Sequence, residues 1–524
     1  MFDLRQLLLS FTTYILLRQW PSGLNPHQDV DLYDGPKSVA IVGAGSAGLA
    51  MLKTLVDFPG DVYADWEIVL YEQRKDVGGV WLPDPNPAYP PDLPETPLYP
   101  LLRTNTPVPT MTYPGFPFQP GTPLYPRHEY VEQYHRDAAL HFNLRPYIML
   151  NHAVLSSSWT GTPTAGRWDL IVQDDNGHKT RKSFDHLVVA SGHNHYPHIP
   201  TFIGQEDWLK NSPVGGRPRV ILHSLWYREP ERFANQTVVV VGAGASGLDA
   251  ARQLGLIAGK VYHSVHGASE RASDVVEVKP EISYFTPDGV VFSDGSIVND
   301  VQSVILGTGY ELRFPFLQEG GVVDVRPGAN KLEGDILTTN LRYLFPLHQH
   351  IFSLSPSYPT NALAFIGLPE LVQNCPSDTA QSIFAAHVIA DQSLLAPRDE
   401  LLQQLKESER SRQSQGDDPY SVGHTMLGNS NFEYQDSLIN YLKERGALPD
   451  DGRNFVDGWR REARWYKYLK RGWKRVEELG HERKWLSGVE TEEEWADLME
   501  RLDKWQEEWE MQHGLVFPEE SFIF

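Results

Sequence analysis

A single cysteine, Cys375, stands in a chain of 524 residues. That scarcity excludes an internal disulfide, a CxxC dithiol and any multi-cysteine metal site. It fits a reducing compartment. Positive charge is also short: 46 Lys and Arg face 68 Asp and Glu, for a formal net charge of −22. Binding a phosphate backbone needs a clustered basic footprint, so nucleic acid is not an expected partner. Long apolar runs are missing too. The run Leu7–Leu17 is broken by Ser10, Thr12 and Thr13, and a bilayer takes about 20 apolar residues. Residues 1–20 read as a packed or surface amphipathic segment, with a membrane-attachment helix or a cleaved signal as alternatives. Asp3 sits beside Arg5, and Arg18-Gln19-Trp20-Pro21 offers no small-residue cleavage site. The expected location is cytoplasmic, with peripheral membrane association through residues 1–20 as the variant. The chain has no HExxH, acidic metal cluster or nucleophile elbow, so no metal is expected.

What is present is globular: 41% hydrophobic and 22% charged residues. The length suits about three to four domain-sized units. Two segments repeat one pattern about 200 residues apart. Val39-Ala-Ile-Val-Gly43-Ala-Gly45-Ser46-Ala47-Gly48 and Val238-Val-Val-Val-Gly242-Ala-Gly244-Ala-Ser246-Gly247 both read as strand, glycine turn and helix start. Further strands are expected at Asp169–Val172, His186–Ala190, Ser303–Leu306 and Ala362–Ile366. Between the two motifs, Trp81–Pro126 is too rich in proline for regular structure. It keeps many aromatics, so an ordered wrap is expected rather than a linker. Beyond about residue 390 strand runs cease. Seven tryptophans (Trp459, Trp465, Trp473, Trp485, Trp495, Trp505 and Trp509) lie there at spacings that suit amphipathic helices. The acidic runs Glu492-Glu-Glu-Trp and Glu507-Glu-Trp-Glu read as solvated helix faces.

A lone G-x-G-x-x-G says little, but the first one here has its context. Ile68-Val-Leu-Tyr-Glu72 is a second strand ending in an acid about 24 residues after Gly48, followed by Gln73. That spacing puts a carboxylate on a ribose hydroxyl. The glycines admit a pyrophosphate to the backbone, and the helix N-terminus supplies the positive end of its dipole. After the second motif, Lys260-Val-Tyr-His-Ser264-Val-His266 carries no acid. A carboxylate there would repel a 2′-phosphate, whereas His263, Ser264, His266 and Arg271 offer donors, so NADP is expected over NAD. Two dinucleotide sites, one inserted into the other, define a two-domain flavoprotein with FAD in the first. Without a dithiol, the electrons have no disulfide to go to, and oxygen is the remaining acceptor.

The chain here resembles the class B flavin-containing monooxygenases, the fungal type most closely, over roughly residues 37–390. The likeness rests on Val77-Gly-Gly-Val80-Trp81, Leu102-Arg-Thr104-Asn105-Thr106-Pro107, Phe116-Pro-Phe118 and Arg127-His-Glu-Tyr130. It continues through Val188-Val-Ala-Ser191-Gly192-His193, Leu306-Gly-Thr308-Gly309-Tyr310, Phe314-Pro-Phe316-Leu317 and Phe365-Ile-Gly367-Leu-Pro. The family fingerprint F-x-G-x-x-x-H-x-x-x-[YF] is half kept: His223 and Tyr227 are present, but Arg217 and Arg219 replace the Phe and Gly. A Baeyer–Villiger subtype would read H-x-x-x-W-P, from which Tyr227-Arg departs.

The resemblance implies an α/β fold of two nested Rossmann-like domains with a helical C-terminal extension. The expected division is 1–36, a first FAD segment 37–205, an NADP domain 206–310, a second FAD segment 311–390, and helices 391–524. It implies that NADPH reduces FAD, that O₂ adds at flavin C4a, and that the hydroperoxide oxygenates an amine nitrogen, thiol or thioether of a small molecule. Asn105 is the implied catalytic amide, donating to the hydroperoxide. Val80, Trp81 and Thr104 line the flavin. Ser377-Asp-Thr379-Ala-Gln381 reads as a helix N-cap aimed at the flavin pyrimidine, with Gln381 in contact. His223 is read as structural or NADP-contacting, not as a general base. His193, Asn194 and His195 either line the cleft or form a solvated turn, and Cys375 is a packing residue. The alternatives are oxygenation of a ketone, or a flavin-binding protein or NADPH oxidase with crippled oxygen transfer.

Overall fold

The computed structural model describes residues 37–58, 65–212, 217–267, 276–332, 334 and 336–515. The expectations for residues 1–20 and for Arg271 lie outside the described residues.

The run Ser38–Val42 is buried along its whole length. Strands buried on both faces read as continuous apolar runs in parallel sheets, and this one pairs in parallel with Glu67–Tyr71 and with His186–Val189. It lies inside a seven-stranded sheet. Leu347–His348, Phe352–Ser353 and Leu363–Phe365 flank it on one side of His186–Val189, and Ile148–Met149 closes the far edge beyond Glu67–Tyr71. The glycine turn after Val42 leads into helix α1, Ser46–Val56.

A second, five-stranded parallel sheet has the order Val276–Lys279, Lys260–Ser264, Thr237–Val241, Ser303–Leu306, Val220–His223. The second glycine turn leads from Thr237–Val241 into helix α2, Ala245–Leu254. The chain leaves the first sheet after Val189 and returns to the neighbouring position as Leu363–Phe365, in register with Leu187–Val189. One α/β unit is therefore nested within the other. The outgoing and returning linkers pair with each other through Tyr196–Pro197 and Tyr310–Glu311.

The proline-rich wrap is ordered as expected. Between Leu82 and Pro126 its one helical turn is the 3₁₀ turn Val108–Met111, yet it buries Leu98, Tyr99, Tyr113, Phe118 and Leu124.

Helix α3, Asn374–Ala390, is buried almost throughout and packs on α1. The chain beyond it is helical, and α4 (Ser430–Glu444) packs on α3 in turn. This C-terminal region completes the first core: Leu438, Leu442, Trp473, Trp495, Leu498 and Leu502 share one apolar cluster with Ile41, Leu49 and Phe384. The seven tryptophans divide. Trp473 and Trp495 are buried, whereas Trp465 is 63% exposed. The last helix, α5 (Glu492–Gln512), starts with a capping box between Thr491 and Glu494. Its acidic face departs from the expected solvated run at Glu510. That carboxylate is buried and takes a two-pronged bond from Arg471, whose positive charge offsets the cost of burial. Among the described residues no helix is long and apolar enough to cross a membrane.

Candidate functional site

Both glycine turns lie outside the carboxyl ends of their parallel strands, where open α/β sheets leave a crevice. In the first, Gly43 adopts φ +105°, and a Cβ there would fall 2.5 Å from the carbonyl oxygen of Ala190. Only glycine fits that turn. Gly48 seats the first turn of α1 on it: a Cβ would lie 1.8 Å from the Gly43 carbonyl. The Val77–Trp81 loop folds over the same turn. Gly78 N–H donates to the Ala44 carbonyl at 2.9 Å, and a Cβ on Gly79 would come within 2.9 Å of Gly45 Cα.

Glu72 is buried beneath this loop. Its two oxygens accept from the backbone N–H groups of Ala44 and Arg74, at 2.7 and 2.8 Å. Burial pushes its pKa up, and the two amides oppose that shift. The expected ribose carboxylate thus already props the glycine turn, and each oxygen keeps a second lone pair for a ligand hydroxyl. Gln73 is exposed at the rim. Arg74 belongs to the site although it stands outside both glycine motifs. Its guanidinium donates to the carbonyls of Gly79, Leu82 and Pro83 and pairs with Glu95, which fixes the Val77–Trp81 loop. Its place two residues after the ribose acid is the only sequence signal for it.

Three buried polar atoms have no partner among the described residues: Thr104 Oγ1, Ser377 Oγ and Asp378 Oδ2. Asn105, next to Thr104, is exposed, Val80 is 39% exposed and Trp81 is half-buried. Ser46 and Ala47 form the first turn of α1, and the Ser46 carbonyl accepts from the Tyr113 hydroxyl of the wrap at 2.9 Å. A glycine turn that presents bare backbone at the N-terminus of α1, covered by a second glycine loop and propped by a buried carboxylate, fits a dinucleotide.

Helix α3 does not start where the sequence suggested. It begins at Asn374, with Gln373 at the N-cap and no side-chain cap bond. Ser377, Asp378 and Thr379 therefore lie inside its first turns rather than capping it. Pro376 explains the shift: proline is tolerated in a first helical turn, where the N–H has no partner anyway. Thr379 Oγ1 donates back to the Cys375 carbonyl and Ser382 Oγ to that of Asp378. Gln381 is fully buried. Its side-chain carbonyl accepts from Gly367 N–H at 2.9 Å, and its amide donates to the Tyr434 hydroxyl of α4 at 2.8 Å. That side chain braces the loop after Leu363–Phe365. Cys375 is buried, and desolvation raises its thiol pKa.

The second turn repeats the first. A Cβ on Gly247 would fall 2.0 Å from the Gly242 carbonyl, while Gly244 faces open space and Ser246 is half-buried on the first turn of α2. The strand Lys260–Ser264 ends without a carboxylate. Ser264 is buried, and its hydroxyl donates to the Pro280 carbonyl at 2.9 Å. His263 is buried with Nε2 at 2.9 Å from the Gly242 carbonyl. Of the expected 2′-phosphate donors that are described, His266 is the exposed one, beside Glu281 at 2.9 Å.

His223 is a staple. Leu225 N–H donates to its Nδ1 at 3.0 Å, so the proton sits on Nε2, which donates to the Gly309 carbonyl at 3.0 Å. Burial pushes its pKa down to about 4. Both ring nitrogens are spent on backbone, which leaves none for a nicotinamide cofactor. The bond ties Val220–His223 to the returning linker, where Thr308 Oγ1 also donates to the His198 carbonyl. Arg219, in place of the fingerprint glycine, lies over the Trp208 ring and donates to the Trp208 and Pro287 carbonyls. Arg217 donates to the Arg232 carbonyl. His193, Asn194 and His195 are half-buried in the outgoing linker, with His193 at 3.9 Å from Glu370.

Two nested parallel-sheet units with paired glycine turns, joined by a two-stranded linker, define a two-dinucleotide oxidoreductase fold. A family model described as FMO-like, flavin-binding monooxygenase-like, matches residues 36–275 and 269–449. The chain is 30% identical over 434 residues to the flavin-containing monooxygenase FMO GS-OX-like 8 of Arabidopsis thaliana, covering 78% of this chain and 86% of that protein. It is 31% identical over 346 residues to the senecionine N-oxygenase of Tyria jacobaeae, covering 63% of this chain and 66% of that protein. Among solved structures, S-allyl-L-cysteine S-oxygenase from Allium sativum superposes with a TM-score of 0.69 at 24% identity, covering 90% of this chain and 99% of that one. Tmm from Pelagibacter sp. strain HTCC7211 gives 0.62 at 22% identity, covering 79% and 87%. The chain belongs to the flavin-binding monooxygenase-like family, and it is a flavin monooxygenase.

Proposed function

We propose that the protein binds FAD at the first glycine turn and NADPH at the second, and inserts one atom of O₂ into a soft nitrogen or sulfur centre of a small molecule. The observation that carries this reading is the fate of the only thiol. Cys375 is buried and held protonated, so no thiol relay leads electrons away from the crevice. Reduced flavin supplies the two electrons that activate oxygen for transfer. Gly43, Gly45, Ser46, Ala47 and Gly48 present backbone to the FAD diphosphate, Glu72 and Gln73 face its ribose, and Val80, Trp81 and Thr104 flank its ring system. Asn105, exposed at the mouth, is the side-chain amide that donates to the reacting oxygen. Gly242, Gly244, Ser246 and Gly247 receive the NADPH diphosphate. The strand Lys260–Ser264 ends without an acid, which favours a 2′-phosphate, and exposed His266 is a donor two residues beyond it. His223 positions the returning linker, and Gln381 positions the loop after Leu363–Phe365. The residue ranges 37–205 with 311–390, and 206–310, are the proposed FAD and NADPH units, with 391–524 closing the first.

An N-oxygenase and an S-oxygenase among the similar proteins support nitrogen or sulfur as the acceptor. The test is mass spectrometry on tertiary amines, thiols, thioethers and ketones with NADPH and air. A gain of one oxygen on an amine or sulfur compound is expected. Oxygen gain on ketones alone, or NADPH consumption that yields only hydrogen peroxide, overturns the reading.

A further inference from the structure

One carboxyl beside the first glycine turn has no part in that function. Asp378 lies in the second turn of α3, 2% exposed, and its Oδ2 has no hydrogen-bond partner among the described residues. It faces the N-terminus of α1. The Ser46 hydroxyl favours its anion. Its Oδ1 would lie 3.4 Å from a Cβ built on Gly367, and that same Cβ would meet Ala47 at 2.9 Å. The titratable groups set around Asp378 are Cys375 on its own helix, Tyr113 from the wrap and Tyr434 from α4. Among the described residues no cation favours its ionised form.

A helix N-terminus attracts one anion well and two poorly. An ionised Asp378 would hold the partial positive charge that a diphosphate needs, and in a dry interior the repulsion between them is screened weakly. A protonated Asp378 removes that repulsion and turns an acceptor into a donor. Burial already holds its pKa up at about 7 in the protein alone. An incoming diphosphate adds like charge, which raises it further.

Resting on the FAD reading, we propose that Asp378 takes up one proton from solvent as the FAD diphosphate seats on the N-terminus of α1, so that cofactor loading is coupled to proton uptake and the flavin is released as pH rises. The linkage has a definite sign. Below the pKa of the free protein, affinity is independent of pH. Above it, binding must recruit a proton, and the FAD Kd rises about tenfold per pH unit.

The experiment titrates FAD into flavin-stripped full-length protein by calorimetry from pH 6.5 to 9, in two buffers of different ionisation enthalpy. Expected are an uptake close to one proton at pH 8, a Kd that climbs about tenfold per unit above pH 7.5, and loss of both effects in Asp378→Asn. Asp378→Ser serves as a second neutral variant should the first fail to fold. A flat Kd without proton uptake in the natural protein overturns the proposal, as does a slope that persists in either variant. Failure to bind FAD at any pH removes the FAD reading itself, and this inference with it.

Discussion

The hydroxyl of Tyr99, in the proline-rich wrap, donates to the carboxylate of Asp249 in α2. One residue belongs to the wrap that bonds α1 and the other to the helix of the second glycine motif. Gln253 donates to the same carboxylate and accepts from Tyr227, the fingerprint aromatic, which meets Tyr99 edge-on at 5.5 Å. Trp226 Nε1 donates to the Asp92 carbonyl and Arg228 to that of Thr96. The wrap therefore clamps the inserted sheet from outside, while His223 and the paired linkers hold it from within.

Tyr99→Phe removes a hydrogen bond to a charged group, worth about 1.5–3 kcal/mol, and leaves Asp249 to Gln253. The expected outcome is protein that keeps its flavin but is reduced by NADPH about tenfold more slowly, an assumed loss of about 1.4 kcal/mol in transition-state positioning. Stopped-flow absorbance of the flavin band measures this. An unchanged reduction rate would show that the clamp does not position the two units for hydride transfer.

Asn105→Asp replaces a donor by an acceptor at an exposed position beside Thr104. Flavin content should stay the same, while the ratio of oxygenated product to hydrogen peroxide falls by about 10²-fold, the scale for losing one preorganised donor. Product by mass spectrometry against peroxide by a dye assay gives the ratio. Equal ratios in the two proteins would remove Asn105 from the chemistry.

Gly48→Ala drives a Cβ to 1.8 Å from the Gly43 carbonyl. The turn and α1 must separate, and the expected product is colourless protein. Gln381→Leu leaves the Gly367 N–H without its acceptor and costs about 1–3 kcal/mol for a buried group. That loss should appear as a lower midpoint in urea, with flavin still bound.

Five histidines, His135, His186, His223, His348 and His350, are pushed down to about 4 by burial. Each is neutral when folded and titrates near 6.5 when unfolded, so the unfolded chain binds more protons between pH 6.5 and 4. Their contribution to stability is complete above pH 6.5 and is lost as pH falls through that window. Asp378 and Asp503, raised to about 7 and about 6, act in the opposite direction over pH 4–7 but are fewer. The melting temperature should fall steeply from pH 6.5 to 4. A flat profile there would contradict the buried neutral state of these rings.

Much of the fold was legible because local pattern and tertiary role coincide. Val39–Val42 and Val238–Val240 are apolar because they are buried within their sheets, and the first turn is glycine because backbone passes within contact of Gly43 and Gly48. The site was less legible where a side chain is spent on a distant partner. Ser264, His223 and Gln381 have the right polarity for a ligand, but Pro280, Gly309 and Tyr434 take their hydrogen bonds. The roles of Arg74 and Asp378 follow from segments that meet only in space.

By itself the sequence determined the two nested glycine turns, the ordered wrap and the absence of a thiol relay, because each is written in residues near one another or in a count. The tertiary structure decided which polar side chains remain open to a ligand, that the C-terminal helices complete the first core, and that α3 starts at Asn374 and lays a buried carboxyl with one unbonded oxygen against α1. Those outcomes depend on burial and on contacts across hundreds of residues, and no local periodicity encodes them.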